Sequence, residues 1–551
     1  MRRKILTIIL ILLIAQMTWA QKCRKASPLS FRLCPDTEAA NFVLPAPDVD
    51  ALTQEDKANE SFFKAQRCAV AVPAEADFFD YAKHVSLSDY DVYLLKISIP
   101  YAQALGFSSD DFFLPEGSEF FIYNSDKTKI LGAYTSENNT YNGIFATEYV
   151  YGDEMILEYI QPKGNQHAAR IKMSDFVYFY RDVIHFEDYA EEQDGFVKKE
   201  FKASGSCNVN VNCSEGSNYQ NVKRSVMRIQ VKAGYSYYWC TGTLLNTTDN
   251  SKIPYILTAA HCVQYLSNSD DYNYFVFFFN YEAQGCQTPN SSPSYTSHTG
   301  CTKLALESSY GDNGSDYLLL RLTDDLTAAD NPYFAGWSRT SNPPSNGVGI
   351  HHPSGDIKKI STFTSKPSSS EYYTSTHWRV FWSSTSNGFG IVEGGSSGSG
   401  LFAPDGKLLG TLTGGFSSCS ATNSDKKDWY GRFSKQFPYF SEWLDPQSTN
   451  VDENEGLDFS QTVMEIKATE NQTDFNLYPT LTSGELNLTF SLAKEDMRAE
   501  VLDINGYILM SESITKGERS LSLDISSFKS GIYFVRLVGK EQSETKKVIK
   551  Q

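Results

Sequence analysis

The chain has 551 residues, too many for one ordinary domain, and this length predicts two to four domains. Its formal net charge is −17, and no basic arm offsets the acidic total, so nucleic acid is excluded as a partner. Tyrosine, phenylalanine and glycine are abundant, which is typical of β-rich proteins.

The first 20 residues have the pattern of a signal peptide. A basic start, MRRK, precedes the apolar run ILTIILILLIA, and the segment MTWA ends in a small residue at Ala20. The run is short for a membrane span and no later segment is long and apolar enough, so we expect an exported chain with no transmembrane segment in its mature form. Export permits disulfides among its ten cysteines. No C-x-x-C pair occurs, so we expect no zinc site, no redox motif and no cofactor.

The two regions that follow are both predicted to be rich in strands. Residues 21–202 contain runs such as DVYLLKISI and GDEMILEYI between turn signals. They run into the charged, polar stretch EDYAEEQDGFVKKEFKASGS, which suits an exposed and cleavable connection. Residues 203–445 repeat short strand runs between loops of Gly, Ser, Asn and Pro, which predicts an antiparallel barrel or sandwich. A closing helix is predicted within YGRFSKQFPYFSEWL.

The C-terminal part divides into a linker and a small domain. Residues 446–470 are acidic and polar and are predicted to form the linker. In residues 471–551 apolar and polar residues alternate again, and Asn505-Gly506 between two such runs is a strong hairpin signal. This pattern predicts a small β-sandwich.

Three short motifs place residues of catalytic type in the second region. PYILTAAHCV puts His261 directly after an apolar strand, and NGSDYLLLRL puts Asp316 at the start of another. GGSSGSG carries Ser396 and Ser397. Taken alone, each motif has an ordinary explanation, namely a structural histidine, a turn-forming aspartate and a flexible Gly/Ser loop. Taken together, a base, a carboxylate and a hydroxyl in one β-rich region are the parts of a nucleophilic triad.

The motifs LTAAHC, SDYLLL and GGSSGSG resemble the three active-site motifs of the chymotrypsin-like serine proteases. More closely, SGSCNVNVNC, HHPSGDIKKIS and GGFSSCSATNSDKKDWYGRF resemble the bacterial lysyl endopeptidases, and this resemblance covers nearly all of residues 203–445. It implies a mainly β chain with a chymotrypsin-like double β-barrel, preceded by a β-rich propeptide over residues 21–202. The C-terminal β-sandwich completes the expected fold.

The resemblance also assigns catalytic roles. Ser397 is the implied nucleophile, His261 its general base and Asp316 the carboxylate that orients the imidazole. The backbone N–H groups of Gly395 and Ser397 form the implied oxyanion hole. Ser396 stands where trypsin-type enzymes carry an aspartate that pairs with the new N-terminus. A serine cannot form that ion pair, so we expect a propeptide that assists folding and blocks the cleft until it is removed.

Specificity for lysine needs a carboxylate at the base of a pocket. The resemblance gives this role to Asp428, with the Ser417 hydroxyl beside it; the alternative is that Asp425 and Asp428 are both exposed loop acids. Val392 replaces a pocket threonine of the family and Thr413 replaces a histidine, so tolerance of arginine stays open. Three lysines precede the expected mature start ASGSC, where self-cleavage would release the enzyme: Lys198, Lys199 and Lys202.

The resemblance implies three disulfides: Cys240–Cys262, Cys207–Cys419 and Cys213–Cys286. It leaves Cys301 unpaired in the mature enzyme and does not assign Cys23, Cys34 and Cys68. The adjacent His351 and His352 lack acidic or cysteine ligands at suitable spacing, and neighbours on a strand face opposite sides. We therefore expect a structural role for this pair and no metal.

The segments NLYPTLTSGELNL, LDISSFKSGIYFVRLV and TKKVIK resemble the C-terminal sorting domain of the type IX secretion system of the Bacteroidetes. The resemblance implies passage through the outer membrane, with that machinery as a partner, and a secreted or cell-surface enzyme. A fibronectin-like or carbohydrate-binding sandwich is the alternative, although no aromatic platform for a sugar is evident.

The leading hypothesis is therefore a secreted serine endopeptidase that cleaves protein or peptide substrates after lysine through an acyl-enzyme. One alternative is a serine protease with broader Lys/Arg specificity. The other is a catalytically silent surface adhesin on a protease fold, although a binding module has no reason to keep all three triad residues and Gly395 together.

Overall fold

The structure is a computed structural model that describes residues 26–32, 38–59, 65–140, 142–165, 167–181, 203–266, 269–289, 292–307, 314–370, 375–461, 475–490, 493, 495–503, 508–539 and 543–551. The predicted signal peptide lies outside the described residues. So do Cys23, Cys34, Asn505-Gly506 and the three lysines before the expected mature start. The chain divides into two compact units, residues 1–461 and residues 462–551.

The N-terminal region is built from strands and two short helices, α1 at Val49–Ala58 and α2 at Phe78–Tyr81. One sheet has the strand order β1-β4-β10-β7-β8 with β3 on β4, and a second contains β2, β11, β5 and β9. An apolar cluster fills the space between them. The strands are β1 Ala40–Val43, β2 Gln66–Asp77, β3 Lys83–Ser86, β4 Tyr90–Ser98, β5 Ala104–Ser109, β6 Phe112–Phe113, β7 Glu119–Asn124, β8 Ile130–Tyr134, β9 Phe145–Tyr151, β10 Glu154–Pro162 and β11 Arg170–Phe179.

The described residues from 203 to 461 form nineteen further strands and the short helices α3 Phe433–Gln436 and α4 Ser441–Leu444. The strands are β12 Val209–Asn210, β13 Val226–Ala233, β14 Ser236–Leu245, β15 Tyr255–Thr258, β16 Val276–Phe279, β17 Thr296–Thr299, β18 Cys301–Leu306, β19 Leu318–Leu322, β20 Tyr333–Phe334, β21 Trp337–Ser338, β22 Gly347–His351, β23 Lys359–Phe363, β24 Ser368–Ser369, β25 His377–Phe381, β26 Gly400–Phe402, β27 Leu408–Gly415, β28 Lys427–Arg432, β29 Glu453–Asn454 and β30 Leu457–Asp458.

These strands form two barrel-like sheets, each around its own apolar core. The first follows the order β17-β16-β13-β14-β15-β19-β18, and Ile229, Phe277 and Leu320 lie in its core. The second follows β12-β23-β22-β26-β27-β28-β25-β24 around residues such as Trp382 and Leu412. The prediction of a mainly β chain with a chymotrypsin-like pair of barrels is confirmed.

The N-terminal region and the first barrel share one continuous sheet. Strand β2 pairs antiparallel with β14, so that Val70 lies opposite Ser236 and Gln66 opposite Trp239. The apolar side chains on this junction come from both regions; Phe179 stacks on Trp239 with ring centroids 5.8 Å apart. Packing of this kind makes the N-terminal region part of the folded body, because its removal would return large aromatic surfaces to water.

The structure differs from the sequence prediction at both ends of the closing segment. The run Tyr430–Arg432 ends strand β28 because it pairs with β27, and short helical turns follow it from Phe433. Pro438, which has no backbone N–H to donate, lies within the 3-10 turn Phe437–Tyr439 between α3 and α4 and prevents one long helix. The linker predicted from residue 446 also begins later, since β29 pairs with β21 and β30 with β20.

The unit of residues 462–551 consists of two sheets over one apolar core. The sheet orders are β31-β33-β36 and β32-β38-β37-β34-β35, and the core draws Leu486 from the first sheet and Val501 and Val535 from the second. The strands are β31 Phe475–Tyr478, β32 Leu481–Thr482, β33 Glu485–Phe490, β34 Met497–Leu502, β35 Ile508–Ile514, β36 Ser520–Asp524, β37 Gly531–Val538 and β38 Ser543–Lys550. Two facing sheets form the layered arrangement of a sandwich. Among the described residues of the whole chain, no helix is both long and apolar enough to cross a bilayer.

Candidate active site

His261 and Asp316 meet because two strands pair. Strands β15 and β19 are antiparallel with Thr258 opposite Leu318, so the end of one lies beside the start of the other. The chain leaves β15 in the 3-10 turn Ala260–Val263, which contains His261. Asp316 Oδ2 lies 2.7 Å from His261 Nδ1, and Asp316 Oδ1 accepts a 2.9 Å hydrogen bond from the His261 backbone N–H. One carboxylate thus fixes both the ring and the backbone of the histidine.

The Asp316 contact sets the tautomer of the imidazole. An ionised carboxylate only accepts hydrogen bonds, so His261 Nδ1 carries the proton and the neutral ring keeps Nε2 as an acceptor. Ser397 Oγ lies 2.6 Å from Nε2, so its hydroxyl donates to the ring. All three residues are at most 1% exposed. The geometry makes His261 able to take the Ser397 proton.

Ser397 lies in the turn before β26 of the second barrel, but the first barrel fixes it. Its carbonyl accepts a 2.8 Å hydrogen bond from the Thr241 N–H in β14. The Thr241 hydroxyl donates to the Gly395 carbonyl at 2.9 Å. A disulfide joins Cys240, also in β14, to Cys262 in the turn that carries the histidine. Strand β14 therefore supports both the base and the serine.

The Gly395 N–H is directed by the peptide group to which it belongs. The carbonyl of that peptide, on Gly394, accepts a hydrogen bond from the Ser354 N–H. Because the peptide is trans, the Gly395 N–H points away from Ser354. Gly395 has a φ of 89°, and a Cβ there would lie 2.8 Å from the Gly355 nitrogen. Only glycine fits this position without strain.

The Ser397 N–H is directed in the same way. The Ser396 carbonyl accepts a 3.0 Å hydrogen bond from the Ser399 N–H, so the N–H of the same peptide points away from that partner. Within the described part of the chain, neither the Gly395 N–H nor the Ser397 N–H donates a hydrogen bond. The two groups predicted to form an oxyanion hole are therefore available to an anion.

Asp428 lies in β28 as a fully buried carboxylate. Its Oδ2 accepts a 2.6 Å hydrogen bond from Trp382 Nε1 and contacts the Ser417 hydroxyl, while Oδ1 accepts a 3.4 Å hydrogen bond from the Ser417 N–H. A Cβ on Gly415 would lie 2.0 Å from Oδ1, so the glycine makes room for the carboxylate. Sequence reasoning did not identify Trp382, since nothing in its local sequence connects it with an acid 46 residues away.

The two acids of SATNSDKKDWYGRF separate in the structure. Asp425 is exposed in the loop and accepts a hydrogen bond of 2.5 Å from the Thr422 hydroxyl. Asp428, by contrast, is buried against Ser417, as the resemblance implied. The alternative of two exposed loop acids therefore describes only Asp425.

The two positions that depart from the family pattern are both buried. Val392 contributes its backbone, because its N–H donates to Ser417 Oγ at 3.2 Å. Thr413 Oγ1 lies 2.9 Å from Nε2 of His377, a residue that the sequence did not single out. Burial lowers the pKa of His377 to about 4, so this imidazole is neutral at physiological pH. A histidine of β25 therefore contacts Thr413 of β27 across the intervening strand β28.

His351 and His352 are both buried, and burial lowers the pKa of each. His352 Nδ1 donates to the Asp356 carbonyl at 2.9 Å. His351 lies between the Ser396 and Ser361 hydroxyls, 2.8 Å and 3.0 Å away. The described residues contain no cluster of three or more potential metal ligands from His, Cys, Asp and Glu. The histidines bond to protein groups instead.

The N-terminal region reaches the edge of this site. A Cβ on Gly394 would lie 2.6 Å from Gln66 Oε1, so the first side chain of β2 packs on the residue next to Gly395. Farther along the same junction, Arg228 Nη2 donates to the Tyr149 hydroxyl at 2.8 Å. The N-terminal region thus contacts the edge of the site through Gln66 and the first barrel through Tyr149.

Among the cysteines that the structure describes, three disulfides form in the pairs that the resemblance implied: Cys207–Cys419, Cys213–Cys286 and Cys240–Cys262. The Cys207–Cys419 disulfide joins two segments: the one that follows the expected cleavage point and the loop before Asp428. Cys301 is buried in the first barrel outside these pairs, and burial raises the pKa of its thiol.

The two barrels and the order His, Asp, Ser define a chymotrypsin-like protease architecture. Residues 201–431 match the family described as the lysyl endopeptidase C-terminal domain, and residues 476–551 match the secretion system C-terminal sorting domain. Both resemblances predicted from the motifs are thereby confirmed. The sorting-domain match indicates export, ending in secretion or attachment to the cell surface.

Similar proteins include a lysyl endopeptidase of Pseudomonas aeruginosa, 32% identical over 311 residues. The match covers 54% of this chain and 62% of that relative's length. Among solved structures, human heparin binding protein aligns at 14% identity with a TM-score of 0.29. The alignment covers 42% of this chain and 94% of the heparin binding protein chain. A serine endoprotease from Yersinia pestis aligns at 12% identity with a TM-score of 0.28; the alignment covers 64% of this chain and 99% of the endoprotease chain. TM-scores this low assign neither fold nor function.

The contact of Gly398 with the first barrel leads to a stability prediction. Gly398 has a φ of 80°, and a Cβ there would lie 2.1 Å from Thr258 Oγ1 and 2.6 Å from the Thr241 carbonyl oxygen. We expect Gly398→Ala to lower the free energy of unfolding by about 2–4 kcal/mol, from the clash and the left-handed backbone together. Tryptophan fluorescence in urea measures this, since every tryptophan after Trp19 lies within residues 203–445.

The matched control is Gly406→Ala. Gly406 has a φ of 83°, but its nearest neighbour would be Val222 Cβ at 3.7 Å. Only the backbone cost of about 1 kcal/mol is expected here. Equal losses in the two variants would contradict a tight contact between Gly398 and the first barrel.

Proposed function

We propose that the chain is a secreted serine endopeptidase that hydrolyses protein substrates after lysine through a Ser397 acyl-enzyme. The observation that carries the proposal is the hydrogen-bonded series Asp316, His261 and Ser397, placed beside two backbone N–H groups without protein acceptors. A series of this kind supplies a nucleophile, its base and an anion site together. The match to the lysyl endopeptidase C-terminal domain supports the same activity.

The chemistry follows from the proton positions. Ser397 Oγ attacks the substrate carbonyl carbon while His261 Nε2 accepts the hydroxyl proton, and the carbonyl electrons move onto the oxygen. Asp316 stabilises the imidazolium. The N–H groups of Gly395 and Ser397 stabilise the oxyanion, each worth about 3 kcal/mol in related sites.

Collapse of this intermediate releases the first product. His261 gives its proton to the leaving amine as the C–N bond breaks, and the acyl group stays on Ser397. A water molecule then loses a proton to His261 and attacks the ester carbonyl. The same proton returns to Ser397 as the carboxylic acid product leaves, so the enzyme is restored.

Asp428 is the proposed partner of the substrate ammonium. A buried carboxylate attracts a cation strongly, because the surrounding protein screens the charge less than water does. Trp382 and Ser417 donate to Asp428 and fix its orientation. Val392 adds no hydroxyl that would favour the ammonium over a guanidinium. Broader Lys/Arg specificity is therefore the first alternative to be tested.

The remaining parts of the chain follow the predicted boundaries as proposals. Residues 1–20 are a signal peptide, 21–202 a propeptide, 203–445 the protease and 471–551 the sorting domain that engages the type IX machinery. Residues 446–470 were predicted as a linker, of which the part up to residue 461 packs on the protease. A catalytically silent adhesin is the alternative from another class of protein, and the intact Asp316–His261–Ser397 series argues against it.

The proposed nucleophile predicts the behaviour of a single variant. The processed wild-type protein is expected to cleave Lys reporter peptides and to be labelled at Ser397 by a serine-directed phosphonate. Ser397→Ala is expected to lose at least about 10⁴-fold in kcat and to resist labelling, because no other group can form the acyl-enzyme. Peptide cleavage by the variant, or an unlabelled wild type, would refute the nucleophile; the latter would favour the adhesin.

The proposed pocket predicts a change of specificity. Asp428→Asn keeps the size of the side chain and removes its charge, so kcat/KM on Lys peptides is expected to fall at least about 100-fold, or about 2.7 kcal/mol. Asp425→Asn, the exposed acid of the same segment, is expected to stay within about twofold. Assays on Lys, Arg and Glu peptides measure both. Similar losses in the two variants would count against Asp428 as the pocket base, and efficient Arg cleavage by the wild type would establish broader specificity.

The proposed propeptide predicts that unprocessed protein reacts slowly. Strand β2 extends the sheet at β14 and begins with Gln66 on Gly394, where it would exclude part of a substrate. A full chain with Lys198, Lys199 and Lys202 replaced by Gln is expected to be labelled by phosphonate at least about tenfold more slowly than the processed enzyme. Mass spectrometry of both termini confirms that the unprocessed form is intact. Equal labelling rates would show that the N-terminal region leaves the site open.

A further inference from the structure

The Ser396 side chain, next to the proposed nucleophile, is fully buried in hydrogen bonds. Its Oγ accepts a 3.3 Å hydrogen bond from the Glu393 N–H and lies 2.8 Å from His351 Nδ1. Backbone bonds also close the turn, since the Ser396 N–H donates to the Glu393 carbonyl at 3.1 Å. The hydroxyl therefore contacts both its own turn and a histidine at the end of strand β22.

The far side of the same imidazole is bonded to a second hydroxyl. His351 Nε2 lies 3.0 Å from Ser361 Oγ, and that hydroxyl donates to the Ile391 carbonyl at 3.3 Å. Since the single Ser361 proton goes to Ile391, His351 Nε2 must donate and Nδ1 must accept. The Ser396 hydroxyl then donates to Nδ1.

One arrangement of protons therefore satisfies every member of the series. It runs from the Ile391 carbonyl through Ser361, His351 and Ser396 to the Glu393 N–H. A neutral imidazole is required, with one donor and one acceptor. Burial, followed by the charge of Lys359, lowers the pKa of His351 to about 3, in agreement with a neutral ring.

The series begins and ends on the segment that leads into the Ser397 turn. Its central residue belongs to the sheet that receives the chain after the turn, because β22 pairs with β26 and Ile350 lies opposite Gly400. The His351 imidazole thus connects the residues before the turn to the sheet of β22 and β26, which is also the sheet that the chain enters after the turn. The series itself contains no charged group, while the Glu393 carboxylate of the same turn accepts hydrogen bonds from the Gly205 N–H.

We propose that His351 is a positioning residue for catalysis: through Ser396 it holds the turn of residues 391–397 so that the Gly395 and Ser397 N–H groups keep their direction. This inference rests on the proposed peptidase function. In this chain, Ser396 donates its hydroxyl proton to the neutral His351. In the trypsin-type enzymes the same position is an aspartate, and that acid needs an ammonium partner. The turn is consequently complete in the unprocessed chain.

The test compares kcat and KM of the processed protein on a Lys amide peptide. Ser396→Ala and His351→Leu are each expected to lower kcat about tenfold, less than the 10²- to 10³-fold cost of losing an oxyanion donor outright, with KM within about twofold. Because both variants break one series, the double variant is expected to be no more than about twofold worse than the stronger single variant. His351→Asn, whose Oδ1 can accept from Ser396, is expected to recover most of kcat.

His298→Gln is the matched control, a buried histidine of the first barrel that bonds to Asp330 at 2.9 Å. It is expected to lower thermal stability without lowering kcat. An unchanged kcat in Ser396→Ala, multiplying effects in the double variant, or an equal kcat loss in His298→Gln overturns the proposal. Ser396→Ala removes a single hydroxyl, so it remains informative if His351→Leu fails to fold.

A crystal structure separates this inference from the proposed function. If the wild type cleaves no peptide, the function fails, and the turn in His351→Leu or Ser396→Ala decides the inference on its own. Rotation of the Gly394–Gly395 or Ser396–Ser397 peptide supports a positioning role for His351. An unmoved turn in both variants overturns it.

Discussion

Strand β14 is the constraint on which the rest of the site depends, because four parts of the chain hydrogen-bond to it. It pairs with β13 along its length, with β15 at its end and with β2 of the N-terminal region at its start. Between these, its Thr241 N–H binds the Ser397 carbonyl, and Cys240 is joined to Cys262. A single strand thereby sets the distance between the base on one barrel and the serine on the other.

The same strand explains how the N-terminal region can both support folding and limit access. Edge strands leave unpaired N–H and C=O groups, and β2 satisfies those of β14 at Ser236–Trp239. The aromatic junction beneath it buries Trp239, and Arg228 in the neighbouring strand packs its guanidinium 4.2 Å from that ring. The contact that covers this surface also brings Gln66 to the edge of the site. On the proposed function, folding assistance and inhibition are consequences of one pairing.

Features that depend on residues close together in the sequence could be predicted from it, and features that depend on residues far apart in the sequence could not. His261, Asp316 and Ser397 each lie in a short motif, so their types and order were visible, although their contacts depend on strand pairing. The bond from Ser396 to His351 was not visible, because β22 and β26 bring these residues together across 45 positions. The closing helix was predicted from its apolar spacing, but pairing of β28 with β27 and the proline in the following turn outweighed that local preference.

Asp316 and Asp428, two of the buried acids of the protease region, are held by different kinds of partner. Asp316 accepts two hydrogen bonds from His261, one from the ring and one from the backbone N–H. Asp428 accepts hydrogen bonds from Trp382 and Ser417, which are neutral donors and orient the carboxylate. On the proposed function, a buried carboxylate held in this way favours a cation. On the proposed function, Asp428 serves the substrate cation. In the turn that carries Ser397, the Ser396 hydroxyl is bonded to the neutral His351, and the Glu393 carboxylate accepts hydrogen bonds from the Gly205 N–H.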